Sequence, residues 1–327
     1  VTITAAIGAF ACGKIGDSSL LGANLRTSLP TNPRYLYVAS GTCYGGGVAT
    51  SAAANTIVRY NLSTGGLDSV IADYTLSTPD SPAGIDNYDG DNLIVAIENG
   101  GTSGRIELVN KRGTGRNTYL TNATAMTGIL RGIHYLSDGG IIVSKTTALE
   151  KFSSGRARVT AGANPYLSAP AAANCAASAT TLSKVIELPN GNLVYAHGAA
   201  ATNRIGIFSA SGYNSAADCL ISASITGPVA TAVPTGLVYT AGGKLLVSYG
   251  STTSTSNSIY AYDVNTTTSA VTGATAAYTN TSVVNGPTEM VEDPYDNTIY
   301  VSMGTSSFNS IEKFTFNSST KTLTRVG

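Results

Sequence analysis

Six short apolar runs recur along the chain, and a turn rich in Gly, Asn, Asp or Pro precedes each of them. Each run ends in a small residue, and these residues are Ala39, Ala96, Ser144, Ala196, Ser248 and Ser302. Their successive spacings are 57, 48, 52, 52 and 54 residues. A continuous apolar run bounded by turn formers is typical of a strand buried on both faces. The spacing therefore indicates an internal repeat.

Three further strands are predicted in each repeat. A segment downstream of the apolar run, such as "NTIVRYNLSTG", alternates apolar and polar residues with a period of two. A shorter strand such as "AGIDNY" precedes the run, and a fourth such as "KTLTRVG" closes the repeat. Six four-stranded antiparallel units predict an all-β, six-bladed β-propeller. A pair of β-sandwiches is the alternative, but it leaves the sixfold repetition unexplained.

The repeats divide the chain into two predicted parts. Residues 30–327 form a single propeller domain, and residues 1–29 are an N-terminal extension. The segment "VTITAAIG" in this extension is able to add a strand to a blade or to help close the ring. How the ring closes stays open, because the C-terminal repeat already carries a fourth strand.

The second repeat resembles a known kind of propeller repeat. The stretch "PAGIDNYDGDNLIVAIENGGTSGRIELVNKRG" has a Pro-x-Gly start, an Asp-Gly turn, an apolar strand, an Arg-Ile strand and a closing Gly. It is similar to repeats of the NHL type, with related patterns in YVTN and SMP-30-like propellers. The resemblance covers about residues 30–327 and implies the fold. It leaves the activity open, because such propellers include enzymes, scaffolds and ligand binders.

An acidic turn within this repeat raises the question of a calcium loop. Asp86, Asp89 and Asp91 fall within six residues, but Tyr88 and Gly90 stand where such a loop needs oxygen ligands. The other repeats place Gly, Asn and Ser at the same turn. The pattern therefore predicts a hairpin between the first two strands of the blade.

Charged residues make up 12% of the chain, about half the usual share for soluble domains. Nineteen basic and nineteen acidic residues give a net charge of zero, which argues against a nucleic-acid or anionic-membrane partner. The apolar segment "ITAAIGAFAC" is about half the length of a membrane-spanning helix. A surface solvated by hydroxyls and amides predicts an exported protein that is periplasmic, on the outer surface or extracellular.

Four cysteines, Cys12, Cys43, Cys175 and Cys219, fit two disulfides in an oxidising compartment. The pairing Cys12–Cys43 with Cys175–Cys219 is favoured because each closes a short loop, and four free thiols are the alternative. The sequence has no Cys-x-x-Cys pair of the kind that would indicate a zinc site. A lipid anchor at Cys12 is a further hypothesis, against which stand Ala9 three residues earlier and the lack of a basic segment.

The first strand of each blade lines the central channel of a propeller. It is predicted to pass Gly84, Gly132, Lys184, Gly236 and Glu289. The candidates for the channel mouth are Arg131, Lys184, His134, His197 and Tyr249. Both histidines are interpreted as hydrogen-bonded structural residues, because neither lies beside a Ser or Cys nucleophile.

Glu289 is the candidate metal ligand. In "GPTEMVEDPYDN" it resembles the first-strand glutamate of SMP-30-like calcium lactonases, and the resemblance implies calcium held by oxygen ligands from several blades. The other blades supply no matching acids. No other cofactor and no catalytic residue is predicted.

The sequence favours a non-catalytic binding or scaffold module at a bacterial envelope or cell surface. It would recognise a protein or glycan through the loop-bearing faces, which include "SGTCYGGGVATSAAAN" and "YGSTTSTSNS". One alternative is a calcium-dependent hydrolase or lactonase at the channel. Another is a subunit of a surface ring or filament, in which "VTITAAIGAF" pairs with the sheet edge of a neighbouring copy.

Overall fold

A computed structural model of the protein describes residues 12–15, 34–41, 55–75, 80–100, 103–122, 125–146, 148–160, 167–168, 181–198, 204–209, 219–221, 233–250, 257–268, 270–279, 286–304 and 309–326. These residues form 25 β-strands in six antiparallel sheets, and no helix occurs among them. The predicted all-β, six-bladed β-propeller is confirmed. The described part of the chain accordingly has no helix with the length and apolar character needed to cross a bilayer.

Each blade is a meander of strands that are consecutive in sequence and in space. The first two blades comprise β1 (Cys12–Ile15), β2 (Tyr35–Gly41), β3 (Thr56–Asn61) and β4 (Gly66–Asp73), then β5 (Asp80–Asn87), β6 (Asn92–Asn99), β7 (Arg105–Asn110) and β8 (Arg116–Thr121). The next two comprise β9 (Leu130–Tyr135), β10 (Ile141–Lys145), β11 (Ala148–Phe152), β12 (Arg158–Val159) and β13 (Leu167–Ser168), then β14 (Thr181–Glu187), β15 (Leu193–Gly198), β16 (Arg204–Phe208) and β17 (Cys219–Ile221). The last two comprise β18 (Val233–Tyr239), β19 (Lys244–Gly250), β20 (Ser258–Val264) and β21 (Val271–Thr279), then β22 (Gly286–Glu292), β23 (Thr298–Gly304), β24 (Asn309–Asn317) and β25 (Thr322–Arg325).

The first strands of the blades form a closed inner ring. Strands β1, β5, β9, β14, β18 and β22 each contact the first strands of the blades on both sides. The second strand of each blade is buried between its neighbours, which explains the continuous apolar runs. In β6, Leu93 and Val95 pack against the first blade, whereas Ile94 and Ala96 pack against the third.

The turns between first and second strands need particular backbone conformations and no charge. Gly139, Gly191 and Gly243 occupy equivalent turns with φ of 80°, 81° and 75°, a region that residues with a side chain rarely adopt. In the second blade Asp89 supports the turn by accepting a hydrogen bond from the amide of Asn92 at 2.7 Å. The hairpin predicted for this acidic stretch is therefore confirmed.

Three Asn-x-Ser/Thr motifs have a structural role at equivalent turns. The Oδ1 atoms of Asn61, Asn265 and Asn317 accept hydrogen bonds from the amides two and three residues further on. Asn61 and Asn317 end the third strand of their blades, and Asn265 directly follows β20. The motif at these positions is explained by the hairpin that it stabilises.

The two faces of the propeller carry different kinds of connection. One face, here called the tight-turn face, carries the turns from first to second and from third to fourth strands, which span four to six residues except at 16–34 and 209–218. The opposite, long-loop face carries the second-to-third connections and those between blades. The longest second-to-third connections are residues 42–55 and 251–257, and most of both lies outside the described residues.

The ring closes between the sixth and first blades, at what we call the closure seam. Strand β1 pairs with β2 as the innermost strand of the first blade and also contacts β22 and β23 of the sixth. No sheet is shared between the two ends of the described chain. The division of the sequence at residue 30 stays a prediction.

A charged group, here called the closure latch, joins the first and sixth blades. Arg34 Nη1 lies 2.9 Å from Asp293 Oδ2 and 3.1 Å from Asp296 Oδ2, and its guanidinium lies 5.9 Å from the Tyr295 ring centre. Burial raises the pKa of Asp293. Burial also acts on Asp296, but hydrogen bonds from Thr298 and Arg34 outweigh it and lower the pKa of that carboxyl.

Candidate functional site

The first strand of each blade has one residue beside the small residue that ends the apolar run, and we call these six residues the ring positions. They are Lys14, Gly84, Gly132, Lys184, Gly236 and Glu289. A Cβ atom on Gly84 would lie 2.7 Å from the Cα atom of Gly132, and one on Gly236 would lie 2.9 Å from the Cα atom of Glu289. Glycine is therefore required where adjacent inner strands meet backbone to backbone.

Hydroxyl groups bridge the blades beside this ring. Ser144 donates a hydrogen bond to the carbonyl of Ser183 at 2.8 Å, and Ser248 donates to the carbonyl of Thr288 at 3.3 Å. Ser144 and Ser248 are two of the small residues that end the apolar runs. At these two positions the hydroxyl bonds to an inner-strand carbonyl of the next blade, whereas the hydroxyl of Ser302 bonds to the carbonyl of Glu289 in its own blade at 3.4 Å.

The most unusual feature of the channel is an ion pair that joins the fourth and sixth blades. Lys184 Nζ lies 3.3 Å from Glu289 Oε1, and the two side chains are 5% and 2% exposed. Because the fifth blade stands between the fourth and the sixth, the pair passes the inner strand that contains Gly236. Buried charges are costly unless they are paired, and here each side chain places a group of opposite charge beside the other.

This ion pair bears directly on the calcium site that the resemblance implies. A hard cation needs six or more converging oxygens, whereas the ring positions beside Glu289 are glycines and lysines with no side-chain oxygen. Within the described residues, no group of three or more His, Cys, Asp or Glu side chains is arranged to hold a metal. The described residues around Glu289 therefore do not fit a calcium site.

A second polar pair lies nearer the tight-turn face, between the second and third blades. His134 Nδ1 in β9 lies 2.8 Å from Asp86 Oδ2 in β5, and both side chains are almost fully buried. Asp86 also accepts hydrogen bonds from the amides of Asn87 at 2.7 Å and Tyr135 at 2.8 Å. The histidine is thus oriented by a carboxylate that is itself anchored to both inner strands.

The other predicted channel residues lie in different environments. Arg131 precedes Gly132 in β9 and is 7% exposed. Tyr249 is fully buried in the apolar core between the fourth and fifth blades, away from the inner ring, and its hydroxyl lies 2.8 Å from that of Tyr262. Burial raises the pKa of Tyr249, and it raises the pKa of Tyr262 to about 12.

Several predicted residues lie partly or wholly outside the described part of the chain. His197 belongs to β15, where its backbone pairs with Leu182 and Arg204, but its side chain lies outside that part. The same holds for Cys12 in β1 and Cys219 in β17, whereas Cys43 and Cys175 are not described at all. The disulfide pairing and the lipid anchor at Cys12 stay predictions.

Two features of the site were missed by sequence reasoning. Asp86 was interpreted only as part of a turn, yet it stands two residues after Gly84 as His134 stands two residues after Gly132. Comparing the same position in successive repeats would have brought the pair together. The contact between Lys184 and Glu289 had no such signal, because it joins blades that are not adjacent.

Comparisons with solved structures agree with the fold. No family model and no curated protein matches the chain. A presumed gluconolactonase is 12% identical, with 98% of this chain and 92% of that chain covered and a TM-score of 0.55. The calcium-binding protein regucalcin from Agrobacterium tumefaciens is 10% identical, with coverage of 72% and 70% and a TM-score of 0.50. The extracellular domain of a presumed one component system from B. thetaiotaomicron is 13% identical, with coverage of 94% and 38% and a TM-score of 0.51.

These similarities confirm the suspected distant likeness to SMP-30-like propellers at the level of the fold. The similar structures include gluconolactonase-like proteins as well as extracellular domains. Because the identities are low, the likeness does not choose between a catalytic and a binding role.

Proposed function

We propose that the protein is a non-catalytic binding module that recognises a protein or glycan through the long-loop face of the propeller. The observation that carries this proposal is the buried ion pair between Lys184 and Glu289. In this pair, Glu289, the one ring position with a carboxylate, binds Lys184, a cation of the chain itself. A hydrolase of the lactonase kind would need that carboxylate for a metal.

The arrangement of the connections supports the long-loop face as the recognition surface. The two longest second-to-third connections, residues 42–55 and 251–257, both leave the sheets on this face. Loops on a rigid scaffold are common binding elements, and Ser and Gly in them supply adaptable hydrogen bonding. The chain has few charges, and its polar, uncharged composition supports a location outside the cytoplasm, at an envelope or cell surface. The extracellular domain with the same fold is compatible with that location.

A calcium titration tests the central step of the proposal. We expect the thermal unfolding of the wild-type protein and of Glu289→Gln to be unchanged by millimolar calcium, since a bound ligand would stabilise the folded state. Sugar lactones should not be hydrolysed faster in the presence of calcium. A calcium-dependent rise in Tm that the variant lacks, or calcium-dependent lactone hydrolysis, would replace this proposal with the hydrolase.

A second measurement tests the binding surface itself. A glycan array and a panel of purified envelope proteins would be probed with the wild-type protein and with a variant in which residues 251–256 are replaced by Gly-Ser. The matched control is Thr268→Ala, an exposed substitution on the tight-turn face. Binding that the loop variant loses and the control keeps would support the proposal, whereas binding that only the control loses would contradict it.

A further inference from the structure

Charged residues are distributed unequally between the connections of the two faces. Between the described strands, eleven connections join strand ends on the long-loop face, and none of them contains Asp, Glu, Lys or Arg. At the chain's average of 12% charged residues, connections that make up more than a quarter of the sequence would contain about ten. The eleven connections are residues 42–55, 74–79, 100–104, 122–129, 146–147, 160–180, which includes β13, 199–203, 222–232, 251–257, 280–285 and 305–308.

The connections on the tight-turn face contain charges in most of the blades. Asp89 and Lys111 lie in turns of the second blade, Asp138 and Arg156 in turns of the third, and Asp296 in a turn of the sixth. Because both faces belong to the same chain, its low overall charge content does not explain the difference. The lack of charge is therefore a property of the long-loop connections themselves.

Between the first and second blades, a polar network lies at the strand ends that border the long-loop face. Asp80, the first residue of β5, accepts a hydrogen bond from Asn99 at 2.7 Å and pairs with Arg105 at 2.7 Å. Arg105 also pairs with Glu107 at 2.6 Å, and the hydroxyl of Tyr74 donates a hydrogen bond to Glu107 at 2.9 Å. Both carboxylates are thus bound by groups of the chain itself, so they do not attract a cationic ligand.

Other strand ends at this face add little exposed charge. Lys145, the last residue of β10, lies 2.8 Å from Glu150 and donates a hydrogen bond to the carbonyl of Ala125 at 2.9 Å. Glu98, near the end of β6, is buried. Asp73 is exposed, but it ends the outermost strand of the first blade and lies at the rim. The described strand ends inside the rim therefore offer a ligand little charge.

Asn55 has an unsatisfied hydrogen-bonding group at the same seam. It directly precedes β3, and its main-chain carbonyl accepts a hydrogen bond from the amide of Tyr74 at 2.7 Å, which places it beside the polar network. The residue is 4% exposed, and its Oδ1 has no hydrogen-bond partner among the described residues. Buried polar groups almost always have a partner, and an unpaired one is costly. The Asn55 side chain therefore marks a place where a bound molecule is able to donate a hydrogen bond.

We propose that the long-loop face binds a neutral glycan, with Asn55 at the seam between the first and second blades as part of the site. This inference rests on the proposed function and names its class of ligand. A neutral glycan has hydroxyl groups and no charge, so it is recognised by hydroxyl and amide groups. The connections of this face contain such groups, and residues 251–257 consist entirely of Ser, Thr and Asn. An amide accepts a hydrogen bond through its oxygen and donates through its nitrogen, which suits two neighbouring hydroxyls of a sugar ring.

Charged partners suit this face less well. Nucleic acids and acidic glycans are bound through Lys and Arg, which pair with their anionic groups. Protein interfaces are enriched in Arg and use complementary charges to steer association. The eleven connections contain none of these residues. A neutral glycan is a partner whose recognition does not require them.

Calorimetric titration with soluble neutral polysaccharides, namely a glucan, a mannan and a galactan, tests the inference, with polygalacturonate as the anionic probe. We expect at least one neutral polysaccharide to bind and polygalacturonate not to bind. The affinity should change by less than about twofold between about 50 mM and about 500 mM NaCl, because salt screens only charged groups. Asn55→Ala should weaken binding at least about tenfold, because it removes the amide that the ligand contacts.

Ser103→Glu is a second variant, which leaves Asn55 in place. Ser103 is exposed in the connection 100–104, and a carboxylate there should weaken binding at least about threefold, because it loses water without gaining a partner. The matched control is Thr114→Glu, exposed in a tight turn of the same blade, which should bind as the wild type does. Circular dichroism and thermal unfolding confirm that each variant is folded.

A wild-type protein that binds none of the neutral polysaccharides would overturn the inference, as would an affinity that falls steeply with salt. Binding that neither Asn55→Ala nor Ser103→Glu weakens would equally overturn it. Binding of a protein or of polygalacturonate that is lost when residues 251–256 are replaced would contradict the neutral glycan but leave the proposed function standing. The two proposals are therefore distinguishable by their failures.

Discussion

The closure seam and the seam between the fifth and sixth blades use opposite faces of the same strand. On β24, Ile311 faces the first blade and Phe314 faces the fifth. Among the described residues, seven buried apolar side chains form the core of the closure seam. Eleven form the core of the seam between the fifth and sixth blades, which we call the fifth seam. Within the described part of the chain, the seam that closes the ring therefore has the smaller apolar core.

The polar contacts are also more widely distributed at the fifth seam than at the closure seam. The fifth seam is joined by several small contacts at different radii, including Thr235 to the carbonyl of Pro287 at 2.9 Å and Lys321 to Asp263. At the closure seam, the charged contacts among the residues that the structure describes are concentrated in Arg34, which binds two carboxylates. Stability is not uniform across a structure, and a seam held by fewer groups opens at lower cost. We expect the propeller to open first between the sixth and first blades.

Truncating one buried side chain on each face of β24 should give the largest losses of stability. Phe314→Ala is expected to lower the free energy of unfolding by roughly 3–5 kcal/mol and Ile311→Ala by roughly 2–4 kcal/mol, because each leaves a cavity. Urea titration measures both. Hydrogen exchange should show faster exchange of β2 to β4 in Ile311→Ala, beyond what its global destabilisation explains. Equal acceleration in all six blades would contradict the idea of a separate closure seam.

Removing the closure latch should have an intermediate effect. Arg34→Ala leaves the buried Asp293 without its cation and is expected to cost about 1–3 kcal/mol. The matched change at the fifth seam is Lys321→Ala, whose partner Asp263 is 41% exposed and whose loss should cost no more than about 1 kcal/mol. Chemical denaturation compares the two variants. A larger cost for Lys321→Ala would reverse the ranking of the seams.

The pH dependence of the latch should give the smallest effect. Burial raises the pKa of Asp293, so this group contributes stability below its unfolded pKa that is lost as the pH rises through the folded pKa. At neutral pH its charge is therefore a cost that Arg34 offsets. The lowered pKa of Asp296 acts in the opposite sense, and its stabilisation is lost in acid. Both pKa shifts predict that Arg34→Ala lowers the free energy of unfolding less at about pH 4 than at pH 7. A loss of stability that is independent of pH would show that Arg34 acts through packing alone.

The fold was predictable from the sequence because each blade repeats the same pattern of burial. The small residues Ala96, Ser144 and Ser248 marked the second strands, and the structure shows that they stand beside the inner ring. Glycines 84, 132 and 236 were recognised at the inner strands, although the reason for them, contact between backbones, required the structure.

The site was less predictable, because its contacts join different repeats. Lys184 and Glu289 are 105 residues apart, and nothing in either repeat indicates that they meet. Tyr249 was a candidate for the channel, yet its position in the second strand places it in a core between blades. A pattern within one repeat indicates which face a residue occupies, but not which residue of another blade it meets.

The absence of a shared sheet among the described strands has a consequence for protein engineering. The first strand is innermost in the first blade and the last is outermost in the sixth, where its final residue, Arg325, pairs with Phe314 within β24. A linker that joins them must cross at least the width of a blade, three strand spacings or about 15 Å. New termini opened between any other two blades then give a circular permutant in which every sheet stays intact. The blades thus have a cyclic order, in which the closure seam is one of six places where the chain is able to start.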